Sequence, residues 1–204
     1  MSPAARRGLL ILAIGFLGIA GALGIGLLLL GGGRDPAVVA TPAPSTVGGL
    51  FQLVDQNGRA VTEQTFRGKW LVVFFGFTYC PDVCPTTLND LALALDKLGP
   101  LAARVQPVFI SVDTERDTPE VLAEYTSAFG SRILGLTGTP EQIAAAAKAY
   151  RVFYRKVEQG ESYTMDHSTL LYVMGPDTNF LTRINPQGGP ERITERLRQL
   201  VSPS

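Results

Sequence analysis

The segment Lys69–Phe77 constrains the fold more than any other part of this chain. Its order, Lys-Trp-Leu-Val-Val-Phe-Phe-Gly-Phe, is a nearly continuous apolar run with β-branched and aromatic residues. A strand with one face in water alternates apolar and polar positions, so this run reads as a strand buried on both faces. Such a strand needs a sheet covered by helices on both sides.

The flanking sequence supplies them. Beyond Cys84-Pro85, the positions Leu88, Leu91, Leu95 and Leu98 recur at three- and four-residue spacing and mark one buried helix stripe, with Pro85 suited to the first turn. Val105–Val112 reads as a second buried strand. Thr118-Pro119-Glu120 starts a helix to about Phe129, with cap, proline and acid in the expected order. Ile133–Leu136 is a short third strand, and Thr139 with Gln142 forms a capping box for the alanine-rich helix ending at Tyr150. Val152–Val157 reads as extended and edge-like. Thr169–Met174 and Phe180–Ile184 flank Gly175-Pro176-Asp177 as a hairpin, and an amphipathic helix runs from about Pro190 to Val201. Before all this, Leu50–Val54 and Ala60–Thr62 flank Asn57-Gly58 as a small entry hairpin. This order predicts an α/β domain over 49–204 with a thioredoxin-like central mixed sheet flanked by helices.

The N-terminus is different in kind. From Gly8 to Leu30 no residue is charged or strongly polar. About 20 such residues in a helix match the roughly 30 Å hydrocarbon thickness of a bilayer, so 8–30 reads as one transmembrane anchor. A cleaved export signal has an apolar region of only about 7–15 residues, which favours the anchor. Arg6 and Arg7 precede it, which places residues 1–7 in the cytoplasm and everything after Gly31 outside. Residues 31–48, with Pro36, Pro42 and Pro44 among glycines and small polar residues, form a flexible linker. Lysine plus arginine and aspartate plus glutamate number 18 each, so no basic excess points to nucleic acid, and that class of partner is set aside.

The chemistry concentrates in three residues. Cys80 and Cys84 are the only cysteines and lie four apart, between the buried strand and a helix start, on the side predicted to be oxidising. A close pair there is a structural disulfide, a redox couple or a metal site. Cys84, beside the helix N-terminus, is expected to have the lowered pKa. The loop is too short for a disulfide to restrict much of the unfolded chain, and it leaves the carboxyl end of a buried strand, where α/β folds place their sites. His167 is the sole histidine. In a thioredoxin-like sheet the loop entering the later strand packs beside the cysteine loop, so His167 can reach both sulfurs. Two thiolates and an imidazole select against Mg²⁺ and Ca²⁺. Structural zinc almost always takes four protein ligands, and no further cysteine or histidine exists here, so copper is favoured. Asp113 and Asp117 read as turn and helix-start acids, Asp166 as a candidate to orient His167, Met165 and Met174 as weak thioether candidates, and 158–165 as a loop able to move His167 on and off a metal.

Three stretches together, Thr78-Tyr79-Cys80-Pro81-Asp82-Val83-Cys84-Pro85, Val112-Asp113-Thr114-Glu115-Arg116-Asp117-Thr118-Pro119 and Asp166-His167-Ser168, resemble the Sco/SenC family of copper chaperones. The resemblance implies a bacterial inner-membrane protein with its domain in the periplasm, binding Cu(I) or Cu(II) through Cys80, Cys84 and His167. It also implies a partner in cytochrome c oxidase subunit II, whose binuclear copper centre the protein would help assemble, and a copper-donor protein upstream. A rival of another class is a thiol-disulfide oxidoreductase using Cys80 and Cys84. Against it stand the three residues between the cysteines, where thioredoxin-type enzymes have two, and the histidine for which such an enzyme has no obvious need.

Overall fold

The computed structural model describes residues 47–202. The expected anchor at 8–30 and nearly all of the expected linker lie outside the described residues, among which no helix is long and apolar enough to cross a membrane. Packing begins at once: Val47 is buried and the Gly48 N–H donates to the Ala149 carbonyl at 2.9 Å.

Among the described residues, nine strands and four α-helices follow in the order β1 (Gln52–Asp55), β2 (Ala60–Thr62), β3 (Trp70–Gly76), α1 (Val83–Leu98), β4 (Val105–Ser111), α2 (Pro119–Ser127), β5 (Leu134–Thr137), α3 (Pro140–Tyr150), β6 (Tyr154–Gln159), β7 (Ser162–His167), β8 (Leu171–Met174), β9 (Phe180–Ile184) and α4 (Gly189–Val201). Seven strands form one mixed sheet in the order β2-β1-β5-β4-β3-β8-β9. Strand β3 is parallel to β4, with Trp70 opposite Val105 and Gly76 opposite Ser111, and antiparallel to β8. The Asn57-Gly58 turn joins β1 to β2 with Gly58 at φ +77°, a conformation glycine adopts freely.

The apolar run does what its composition requires. Val72 to Phe75 are wholly buried, with successive side chains on opposite faces of the sheet. On one face Phe74 packs against Phe109 of β4, which meets Tyr125 of α2. Helices α1 and α4 lie side by side, tied where the Thr194 hydroxyl donates to the Ala94 carbonyl at 3.4 Å. On the other face Phe75 meets Tyr150 of α3, with ring centroids 5.5 Å apart. Helices therefore cover both faces and leave the carboxyl ends of β3 and β4 open for the loops that carry the chemistry.

The structure departs from the sequence reading after α3. The stretch read as an edge strand and a movable loop is a hairpin: β6 and β7 pair antiparallel, from Tyr154 opposite His167 to Gln159 opposite Ser162, as a two-stranded sheet of their own. Its burial pattern is mostly exposed or intermediate, so the polar composition that suggested a loop suits a ribbon that lies outside the core. The strand expected from Thr169 begins at Leu171.

Candidate metal centre

Cys80, Cys84 and His167 converge. One donor atom from each lies within 4.8 Å of the other two. Strand β3 delivers the chain to a turn closed by the Cys80 N–H on the Phe77 carbonyl, and α1 then starts at Val83. Its first turn is therefore earlier than the Pro85 region suggested, and Cys84 is the second helical residue. The Asp82 side chain does not cap the helix. The Cys80 sulfur accepts the Cys84 N–H at 3.4 Å instead, so the free donors at the helix start face Cys80.

That placement reverses the expected roles of the two thiols. Cys80 is lowered to about 3, foremost by a hydrogen bond from Cys84, with His167 and the N–H groups of Asp82 and Cys84 acting in the same sense against its partial burial. Cys84 is raised above its ordinary value by the Cys80 sulfur beside it and by its burial. A helix terminus favours negative charge lying beyond its end, and the sulfur beyond the end is that of Cys80. Cys80 is half-buried while Cys84 is fully enclosed, and both are free thiols.

His167 ends β7 with its ring set edge-on to Phe74 and Phe77, at centroid distances of 6.1 and 5.7 Å. Its Nδ1 is 3.0 Å from the Ser168 carbonyl, and its Nε2 is 3.4 Å from the Cys84 sulfur. A carbonyl only accepts, so Nδ1 carries a proton, and Nε2 is the ring nitrogen that faces the sulfurs. Asp166, expected to orient the imidazole, does not; its Oδ2 accepts from Arg155 Nη2 at 2.6 Å on the exposed side of the hairpin. Met165 is buried within β7 and Met174 is core, against Gly48.

Asp113 and Asp117 are more than turn acids. Both are nearly inaccessible. Asp117 accepts from the Thr78 N–H at 2.9 Å and from the Thr78 and Ser111 hydroxyls at 2.6 and 2.5 Å, which pins the start of the cysteine loop to the end of β4. Asp113 accepts the Tyr163 hydroxyl of the hairpin at 2.9 Å and holds Arg116 Nε. Its main-chain bonding to Asp117 also makes the expected turn. The sequence signal available for either role was only the acid-rich Val112–Asp117 stretch after a buried strand.

Gly76 is the last residue of β3 for a steric reason. A Cβ there would lie 2.7 Å from a Phe109 ring carbon and 2.8 Å from the Cys84 sulfur. Gly76→Ala should destabilise the domain by about 1–3 kcal/mol through overpacking and push the Cys84 sulfur from its place. Urea unfolding measures the first effect. Thiol labelling measures the second: Cys84 should react faster than in the parent, and an unchanged rate would show that the sulfur does not depend on this glycine.

The family description SCO1/SenC matches residues 39–202. The chain belongs to the SCO1/SenC family. SenC of Rhodobacter capsulatus is 44% identical over 154 residues, covering 75% of this chain and 70% of the relative. The mitochondrial SCO1 homolog 1 of Arabidopsis thaliana is 47% identical over 139 residues, covering 67% of this chain. The chain spans only 42% of that relative's length. Among solved structures, Bradyrhizobium japonicum ScoI with copper bound is similar at a TM-score of 0.70 and 44% identity, covering 75% of this chain and 98% of that one. The mixed sheet with helices on both faces is thus the Sco arrangement of the thioredoxin-like fold.

Proposed function

We propose that this SCO1/SenC-family chain is a membrane-anchored copper metallochaperone, with copper as its cargo and Cys80, Cys84 and His167 as the ligands. The carrying observation is the convergence, all within 4.8 Å, of two sulfurs four residues apart at the start of α1 and an imidazole nitrogen from β7, 83 residues beyond Cys84. Ligands about 2.0–2.3 Å from one ion sit roughly 3.3–4.0 Å from each other, and the 3.4 Å between Cys84 Sγ and His167 Nε2 already has that spacing. Soft thiolates with one imidazole suit Cu(I). The copper-bound Bradyrhizobium structure supports the same cargo.

The unequal burial of the ligands gives a route for hand-over. Cys84 is enclosed and retains the ion; Cys80 is the sulfur an incoming partner thiolate can reach; His167 leaves as a neutral ligand without moving a proton. Exchange of ligands transfers the ion with no change of oxidation state. The acceptor in this reading is cytochrome c oxidase subunit II, whose binuclear copper centre is assembled, and a separate copper protein loads the site. Residues 1–7 are cytoplasmic, 8–30 span the bacterial inner membrane, the stretch from 31 up to the packed Val47 is a tether, and the domain works in the periplasm.

The test is an oxygen-free titration of the reduced full chain in detergent against a competing chelator, followed by mixing with copper-free subunit II. One Cu(I) per chain, and its appearance on subunit II, are expected. Binding no tighter than that of a Cys80→Ala/Cys84→Ala double variant would refute the proposal. The pH dependence carries a sign. With Cys80 already a thiolate and Cys84 raised, loading at about pH 7–9 releases the Cys84 proton, so affinity rises about tenfold per pH unit.

One observation favours a second reading. A half-exposed thiolate at Cys80 beside an enclosed, protonated Cys84 is the arrangement of an attacking and a resolving thiol. In that role Cys80 attacks a partner disulfide and Cys84 displaces the second partner thiol. The pair ends as a disulfide and the partner gains two electrons. A mixed disulfide trapped at Cys80 when Cys84 is replaced by alanine, formed equally with and without copper, would favour reduction over delivery.

A further inference from the structure

We propose that Arg116 is a positioning residue that sets His167 against the two thiols by latching the β6–β7 hairpin to the loop between β4 and α2; this rests on the copper-site reading above. The hairpin shares no backbone ladder with the seven-stranded sheet, so the sheet itself does not fix the place of His167. Near its base the hairpin is tied by the Ser168 N–H to the Phe153 carbonyl at 2.9 Å and by the Phe153 N–H to the Ser168 hydroxyl at 3.1 Å. Elsewhere its polar ties run to the β4–α2 loop, and Arg116 is at their centre.

The guanidinium lies 3.7 Å from the centroid of the Tyr163 ring on β7, and its Nη1 donates to the Tyr163 carbonyl at 3.1 Å. Its Nε donates to Asp113 at 2.5 Å, and the same carboxylate accepts the Tyr163 hydroxyl at 2.9 Å. Tyr163 is therefore held by its carbonyl, its ring and its hydroxyl at once. Tyr163 is four residues before His167 on the same strand. A second cation closes the other end of the latch: Lys156 of β6 lies 3.9 Å from the Tyr163 ring centroid and pairs with Glu115 at 2.8 Å.

Arg116 reaches toward the cysteine side as well. Its guanidinium is 4.5 Å from the centroid of Tyr79, the residue before Cys80, and 6.0 Å from that of Phe77, whose ring packs on His167. One flat cation thus touches the hairpin that carries the imidazole and the loop that carries the thiolate. The arrangement carries a penalty: Arg116 is only 17% exposed and its Nη2 is buried without a partner. A donor left unmade in the interior opposes folding. Simple packing would be served better by an apolar side chain, whereas stacking on Tyr163 while donating forked bonds to Asp113 and a carbonyl needs a guanidinium.

Affinity for Cu(I) in the full chain tests this as a double-mutant cycle with Arg116→Leu and His167→Ala. If Arg116 works through His167, Arg116→Leu should lower affinity by about 10- to 100-fold in the parent, as loss of a group orienting a ligand does. In the His167→Ala background it should have less than about a twofold effect. X-ray absorption of the Arg116→Leu protein should then show copper on two sulfurs without histidine nitrogen. An equal loss in both backgrounds, or none in the parent, would overturn the latch. Should Arg116→Leu unfold, Arg116→Lys, which keeps the charge and lacks the fork, runs the same cycle under the same criteria. Failure of the copper reading itself shows separately, as a parent protein that binds copper no better than Cys84→Ala.

Discussion

Cys84→Ala is expected to lower Cu(I) affinity by more than about a hundredfold while leaving the domain folded. Loss of a residue that merely orients a ligand costs about 10–100-fold, and removal of the most enclosed ligand exceeds that. Cys84 is wholly buried beneath Gly76 and Phe109, on the second residue of α1, so the helix and the sheet hold its sulfur in place when copper is absent. Cys80 and His167 then remain as a half-exposed thiolate and an imidazole on a hairpin, with nothing rigid behind the ion. Alanine fits the space the thiol leaves and adds no polar group. The destabilisation should stay near 1 kcal/mol, as for a small truncation in a packed core. Competition against a Cu(I) chelator reads the affinity and urea unfolding reads the fold. Affinity within tenfold of the parent would mean that the buried sulfur is not a ligand.

His167→Ala is expected to weaken Cu(I) binding by about 10–100-fold and to abolish a stable Cu(II) complex. The distinction follows from donor type. Two thiolates alone hold Cu(I), which accepts low coordination, whereas Cu(II) seeks harder nitrogen or oxygen donors and a higher coordination number. The imidazole is set edge-on against the Phe74 and Phe77 rings, and its removal leaves a space beside them of the size of the same group. Added imidazole at millimolar concentration should therefore restore the Cu(II) thiolate absorption in His167→Ala and leave Cys84→Ala unaffected. No rescue, together with unchanged Cu(II) binding in the variant, would place the nitrogen ligand elsewhere.

The parts of this molecule that were legible in the sequence are those set by local chemistry. The burial of Val72–Phe75 on both faces follows from an apolar run without alternation, and Thr139 and Gln142 form the capping box their spacing announces. The Asn57-Gly58 pair forms the expected hairpin turn, with Gly58 at φ +77°. Spacing and the helix start single out Cys80 and Cys84, while the expectation that His167 lies beside them rests on the fold and the family resemblance; the three do lie together. Which thiol is charged was not legible. It depends on whether α1 begins at Val83 or Pro85, a shift of two residues that moves the free N–H groups from one sulfur to the other. The β6–β7 hairpin was also missed, because two polar strands that pair only with each other lack the apolar alternation by which a strand on a core is recognised. Asp113, Arg116 and Asp117 form their contacts across 39 to 50 residues of chain, so a short acidic stretch alone looked like a turn.

The central claim, that one copper ion sits between Cys80, Cys84 and His167, is met most directly by X-ray absorption on the full chain loaded with a single Cu(I). Two sulfur scatterers at about 2.2–2.3 Å and one nitrogen at about 2.0 Å with the outer-ring signature of imidazole are the expected shell. That nitrogen signature should vanish in His167→Ala. A shell of sulfur alone in the parent, a fourth protein donor, or a spectrum unchanged by the His167 substitution would contradict it.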